Sequence, residues 1–253
     1  MSLFDTLLYY IAPPKCTSCN TRLDRSEKAL CQRCKNEYDN TLRRNCSICA
    51  KPLYECTCTN EYLDSHYVHE SVKVFRYRVE GGEAANSLIY SLKRDNRRDV
   101  LKFVSNELAS SILNSIDVND NFIVASVPRI EKSVVKYGID HAELLGKEVA
   151  KILGIKYQKL LISKSKVQQK HTEGREARFK NVNFDIKHRT YDIKGKTVIL
   201  VDDIVTTGAS MGRAATLIKG LGAKKIIGAS IAIAYKDNYV RFDVSDRFKP
   251  KLG

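Results

Sequence analysis

The chain contains no tryptophan, only two methionines and five prolines, and no cysteine after Cys58. With no tryptophan and no segment that interleaves aromatic and basic residues, a base-stacking platform cannot be read from the sequence. No run reaches the roughly 20 apolar residues that a membrane-spanning helix needs. The start, Met1 to Tyr10, lacks the basic segment and long apolar run of an export signal. The expectation is a cytoplasmic protein in a compartment that keeps thiols reduced. Low-complexity tracts are also missing, and 43% of residues are hydrophobic, which excludes a wholly disordered chain. A length of 253 residues suits one α/β domain with a small appendage.

Negative charge is in short supply: 29 acidic residues face 43 lysines and arginines, a formal balance of +14. Such a field favours anionic partners such as phosphates, nucleic acid or a membrane surface, without choosing among them. The excess lies after residue 66, where 34 basic residues face 21 acidic ones; before it the counts are nine and eight.

The eight cysteines are confined to one segment, as Cys16-x2-Cys19-x11-Cys31-x2-Cys34 and then Cys46-x2-Cys49-x6-Cys56-x-Cys58. A Cys-x2-Cys pair is a knuckle that turns two thiolates towards one tetrahedral ion, so four pairs suit two structural Zn²⁺. Disulfides are the alternative, disfavoured by the absence of an export signal. Sequential pairing of 16/19 with 31/34 and of 46/49 with 56/58 closes the shorter loops, although a cross-braced arrangement satisfies the same count. The segment is too rich in turn formers to own a core, and loops and short hairpins fixed by metal are expected there. His66 and His69 follow the cluster and are surplus to eight thiolates.

A division into residues 1–66, a helical start (Leu3 to Ile11) with a double zinc ribbon, and residues 67–253 is expected. In the second part Ser71 to Val79 alternates as a strand with one buried face. After Gly81-Gly82, apolar residues at Ala84, Ala85, Leu88, Ile89 and Leu92 recur at helical spacing, and a second helix is expected over about 99–116. Phe122 to Val127 reads as a buried parallel strand, followed by a helix over 140–153 and a strand near Tyr157 to Ile162. Residues 163–180 are polar and basic, as an exposed hood element would be. A strand at Thr197 to Val201, a turn, a helix from Ala209 to Leu221 and a strand from Lys225 to Ala234 complete the set. Strands alternating with helices imply a parallel sheet covered on both faces.

The turn in that last unit carries the chemistry. Thr197 to Val201 delivers Asp202 and Asp203 to a strand end, and Thr206-Thr207-Gly208 leads into a helix whose N-terminus offers unpaired N–H groups to an anion. Gly208 permits close backbone approach, and the hydroxyls of Thr206, Thr207 and Ser210 can join the donors. Carboxylates beside a phosphate cradle would repel the anion unless they face sugar hydroxyls or Mg²⁺, and a ribose 5-phosphate satisfies both demands. The competing reading is an acidic surface turn followed by an ordinary helix cap. A Walker lysine is missing, which argues against a nucleoside triphosphatase.

Val198-Ile-Leu-Val-Asp-Asp-Ile-Val-Thr-Thr-Gly-Ala-Ser210 resembles the phosphoribosyl pyrophosphate (PRPP) motif of type I phosphoribosyltransferases over its full length. The resemblance implies that Asp202 and Asp203 face the ribose hydroxyls, that Ile204, Val205, Thr206, Thr207, Gly208, Ala209 and Ser210 wrap the 5-phosphate, and that Mg²⁺ bridges pyrophosphate and ribose. By position, Pro128 and Arg129, with Lys132 and Lys136, form the candidate pyrophosphate loop. The stretch Lys164 to Arg178, with Lys170, is the candidate hood.

A double zinc ribbon followed by such a domain is similar to the ComF family, including ComFC and GntX-like proteins. Ser87-Leu-Ile-Tyr-Ser-Leu-Lys93, Ser126-Val-Pro128 and Arg178-x2-Asn181 also resemble family elements. Two departures stand out: Tyr137-Gly-Ile-Asp-His141 replaces the family's Arg-Gly-Phe-Asn-Gln, and Lys170 stands where a glutamine is usual. The family implies a role in natural transformation, with single-stranded DNA and competence-machinery proteins as partners. Lys93, Arg94, Arg97, Arg98 and Lys102 could follow a phosphate backbone or simply pair with Asp95 and Asp99. A working phosphoribosyltransferase acting on a nucleobase or other amine, and a PRPP-sensing regulator, are the alternatives.

Overall fold

The computed structural model describes residues 9–11, 13–95, 97–119, 121–129, 140–163, 184–187 and 193–234. Its centre is a parallel sheet of five strands: β1 (Val68–Tyr77), β2 (Phe122–Ser126), β3 (Lys156–Tyr157), β6 (Thr197–Val205) and β7 (Lys225–Ala234). Their spatial order is β1-β7-β6-β2-β3, and every pairing is parallel. β4 (Leu161–Ser163) and β5 (Phe184–Ile186) form a separate antiparallel pair. The single strand expected near 157–162 is thus two: Gln158 leaves the sheet after its N–H bonds the Val124 carbonyl at 2.8 Å, and the chain turns to meet β5.

β6 occupies the middle because its apolar run can bury both faces. Ile199 and Val201 point into one core with Val124, Ile227 and Ala229, under α3 (Glu83–Arg94), α4 (Arg98–Ser115) and α5 (His141–Leu153). Val198 and Leu200 point into the other, with Ile123 and Ile226, under α6 (Ala209–Gly220) and Leu63 of α2 (Glu61–Ser65). Asp140 caps α5 by accepting from the Glu143 N–H at 3.1 Å, and Gly154 ends that helix at φ +69°.

Three expectations change. β6 does not stop at Val201: it stays in register with β7 as far as Val205 opposite Ile233, so both aspartates lie within paired strand. β1 does not have one exposed face. Residues 71–75 are all buried, because the chain around the second cysteine cluster covers the side that carries Ser71 and Lys73; the Ser71 N–H bonds the Thr57 carbonyl at 2.8 Å. The cysteine-rich segment is not only loops, since α1 (Gln32–Leu42) runs for 11 residues within it. Its Tyr38 sits edge-on to Phe75 and Phe103 and donates to Glu107 at 2.9 Å, while Glu37 accepts from the Ala84 N–H at the start of α3. Leu23, Leu30 and Tyr38 thereby share one core with Phe75, Leu88 and Val104.

Candidate functional site

Two groups of thiols come together in the described residues: Cys16, Cys19, Cys31 and Cys34, and Cys46, Cys49, Cys56 and Cys58. Within each group the sulfurs lie within 4.8 Å of one another, which is the sequential pairing and not the cross-braced one. A Zn–S bond of about 2.3 Å requires sulfurs roughly 3.7 Å apart in a tetrahedron. Cys19 to Cys31 at 3.6 Å and Cys49 to Cys56 at 3.5 Å fit that spacing. Backbone N–H groups of Ile48 and Cys58 point at the sulfurs of Cys46 and Cys56 at 3.4 and 3.3 Å, as thiolate acceptors require. The residues therefore fit two structural metal ions, each of which could be Zn²⁺. His66 stacks on Tyr62, and His69 pairs with Asp64 at 2.8 Å, so both are engaged outside the thiol sets.

The second centre has a neighbour that its spacing does not announce. Lys73, on β1, is 3% exposed; its ammonium donates to the Cys58 carbonyl and, at 3.1 Å, to that of Ser71. Four thiolates holding one Zn²⁺ would carry a net charge of about −2, which would compensate a buried ammonium.

At the carboxyl edge of the sheet, Asp202 and the residues 204–211 line a concavity of about 230 Å³ at the N-terminus of α6. The loop that the sequence singled out is thus one surface. Asp202 and Asp203 are fixed by the backbone ahead of them: the N–H of Asp203 bonds Oδ1 of Asp202, and that of Ile204 bonds Oδ1 of Asp203, both at 2.8 Å. Thr207 Oγ1 accepts from the Ala209 N–H at 3.1 Å, capping the helix start. Gly208 adopts φ +83°, and a Cβ there would stand 2.8 Å from Leu63 Cγ. The glycine is demanded by packing beneath the loop as well as by approach from above.

Asp203 is 4% exposed and faces two cations, since Arg129, just after β2, pairs with its Oδ2, and Lys93, near the end of α3, lies 3.5 Å away. Burial works against the Asp203 carboxylate, but Arg129 and then Lys93 outweigh it and hold it below the ordinary aspartate range. Asp202 moves the other way, raised by burial and by repulsion from Asp203. His141, 1% exposed at the start of α5, is held below the usual histidine range by burial and then by Arg129. Asp140 Oδ2 receives the Arg129 N–H at 3.4 Å.

Pro128 and Arg129 are therefore beside the loop, as expected, whereas Lys132, Lys136, Lys170 and Arg178 lie outside the described residues. Lys93, one member of a basic cluster in the sequence, is an ion-pair partner of Asp203. Of its companions, Arg94 bonds the Tyr90 hydroxyl, and Arg97 pairs with Asp99 at 2.5 Å and holds the Lys15 carbonyl. His141, seen in sequence only as a departure from a motif, joins the site through the helix that Asp140 caps.

Residues 139–245 match the family model described as "Phosphoribosyl transferase domain". Ribose-phosphate pyrophosphokinases are similar over shorter stretches: that of Thermococcus kodakarensis is 40% identical over 78 residues, 31% of this chain and 23% of its own. Ribose-phosphate pyrophosphokinase 2 of Archaeoglobus fulgidus is 37% identical over 54 residues, 21% of this chain and 20% of its own. The chain thus spans about a quarter or less of these relatives. A purine phosphoribosyltransferase structure from Pyrococcus horikoshii aligns at 20% identity and TM-score 0.35, covering 53% of this chain and 72% of that one. No helix among the described residues is long and apolar enough to cross a membrane. The matched region, the five parallel strands and the loop after Asp202 and Asp203 together make this an α/β chain of type I phosphoribosyltransferase fold, preceded by two four-cysteine clusters.

Proposed function

We propose that this protein binds PRPP with Mg²⁺ and, as a ComF-type protein, handles single-stranded DNA during natural transformation. The observation that carries the ligand is the placing of two aspartates above a helix N-terminus with Arg129 beside them. In this reading the 5-phosphate takes backbone N–H groups at residues 206–210, and the ribose hydroxyls take Asp202 and Asp203. Mg²⁺, arriving with the substrate, would offset the charge between carboxylates and diphosphate. The diphosphate replaces Asp203 as partner of Arg129 and Lys93, with Lys132, Lys136, Lys170 and Arg178 as further anion contacts. For DNA, the support is aromatic and basic: Arg22 and Arg25 lie 4.8 and 5.0 Å over the ring of Tyr9, which meets Tyr10 edge-on, and Tyr10 is 65% exposed.

Calorimetric titration with PRPP, with and without Mg²⁺, tests the ligand. Binding should need the metal and should weaken at least about a hundredfold when Asp202 and Asp203 are both changed to Asn. Anisotropy of a labelled single strand across a salt series should show DNA binding that survives this change. Undiminished PRPP binding by the double variant would refute the site, and DNA affinity no greater than that of a charge-matched control would refute the DNA role.

A transferase reading is favoured by one feature. An open groove lies on the β7 side of the loop, lined by Val205, Thr206, Ile233 and Lys73 and by Cys46 and Cys58 of the second thiol group, whereas Arg129 lies on the β2 side. If the C1–O bond breaks towards Arg129, pyrophosphate leaves with the electron pair. An acceptor nitrogen in the groove can then form the C1–N bond from the opposite face and release its proton. Pyrophosphate release with a panel of nucleobases and amines separates this from sensing, which predicts saturable binding without turnover.

A further inference from the structure

Five residues cannot sustain a helix alone in water, yet α2 buries its Leu63 to 2% exposure beneath the phosphate loop. Leu63 occupies the space beside Gly208, and Tyr62 Cε1 stands 2.8 Å from where a Cβ on Gly212 would be, one turn into α6. Both glycines are shaped around α2. α2 is held at both ends: on its C-terminal side Asp64 pairs with His69 of β1 at 2.8 Å, and on its N-terminal side Asn60 Oδ1 accepts from the Leu63 N–H at 2.8 Å, with only Thr59 between Asn60 and Cys58, a member of the second thiol group. The same knuckle is tied to β1 at two points, through Thr57 with Ser71 and through Cys58 with Lys73.

We infer that the second four-cysteine centre is the anchor of the phosphate loop: a metal held by Cys46, Cys49, Cys56 and Cys58 fixes the knuckle, the knuckle fixes α2, and Leu63 fixes Gly208. Leu63 is then a positioning residue for the sugar-phosphate site, and occupancy of this centre controls how well the loop is organised. The first centre packs with Leu30 and Tyr38 in the core on the other face of the sheet, so it provides an internal comparison. The inference rests on metal binding by the thiols and, for its effect on ligand, on the PRPP reading above.

The test uses the full chain loaded with Zn²⁺ and no sugar ligand. Hydrogen exchange of peptides covering 206–212 is compared between the parent, Leu63→Ala, Leu63→Met, Cys58→Ser and Cys19→Ser, with zinc content measured for each. Exchange across the loop should accelerate at least about tenfold in Leu63→Ala and Cys58→Ser, and stay near the parent in Leu63→Met and Cys19→Ser. Leu63→Ala should keep its zinc, which separates loss of the brace from loss of the metal. Loop protection unchanged in Leu63→Ala, or lost equally in both cysteine variants, overturns the inference. Titration with PRPP and Mg²⁺ follows: affinity should fall about tenfold or more in Leu63→Ala. If the parent itself does not bind PRPP while the exchange pattern holds, the ligand reading fails and the anchor stands.

Discussion

Asp203 is contested at the residue scale. A carboxylate at 4% exposure would ordinarily resist ionisation, and it stays charged here because Arg129 and Lys93 arrive from two different elements. Its folded pKa is depressed, so its contribution to stability is complete above the unfolded value of about 3.9 and fades as pH falls through the folded value. Arg129→Met removes the larger cation. Urea denaturation should show a loss of about 3 kcal/mol at pH 7 that narrows markedly near pH 3; an equal loss at both would mean the pair is not what stabilises the charge. Neither partner is legible in sequence as such. Lys93 lies among Arg94, Arg97 and Arg98, and only the direction in which the end of α3 points separates the site lysine from its neighbours.

At the scale of elements, the strand–turn–helix unit at 197–220 could be read directly because its determinants are local: an apolar run, two acids, a glycine and a helix start. What was not legible is what packs under it. Leu63 is 145 positions from Gly208, and nothing in either segment announces the other. Gly208→Ala therefore carries two penalties, a side chain at φ +83° and a Cβ against Leu63. It should cost about 2 kcal/mol in a denaturant titration, and the same change should cost less when made in a Leu63→Ala background; no cost in the parent would mean the space is not filled. The end of β6 differs from the expected one for a related reason. Asp202 and Asp203 read as a turn by residue type, but pairing with β7 as far as Ile233 overrides that preference. α1 was hidden because turn formers and cysteines dominate the composition around it, while its anchoring contacts, Tyr38 on Phe75 and Phe103, are made with distant strand and helix.

For the whole molecule, both cysteine clusters were countable from spacing alone, since Cys-x2-Cys is a local geometry. Their placement was not. One joins the core under α3 and α4, and the other abuts the edge strand and the phosphate loop, so the small N-terminal segment touches both faces of the sheet. The parallel, doubly covered sheet follows from alternating strands and helices, whereas the strand order does not, and the phosphate loop falls at the carboxyl edge where such sheets bind ligands. This edge is the proposed PRPP site. A crystal structure with PRPP and Mg²⁺ tests it most directly. Phosphate oxygens should lie within hydrogen-bond reach of the backbone N–H groups of residues 206–210, with ribose hydroxyls on Asp202 and Asp203 and Arg129 turned from Asp203 to the diphosphate. Density for the ligand elsewhere, with Arg129 still paired to Asp203 at saturating PRPP, would contradict it.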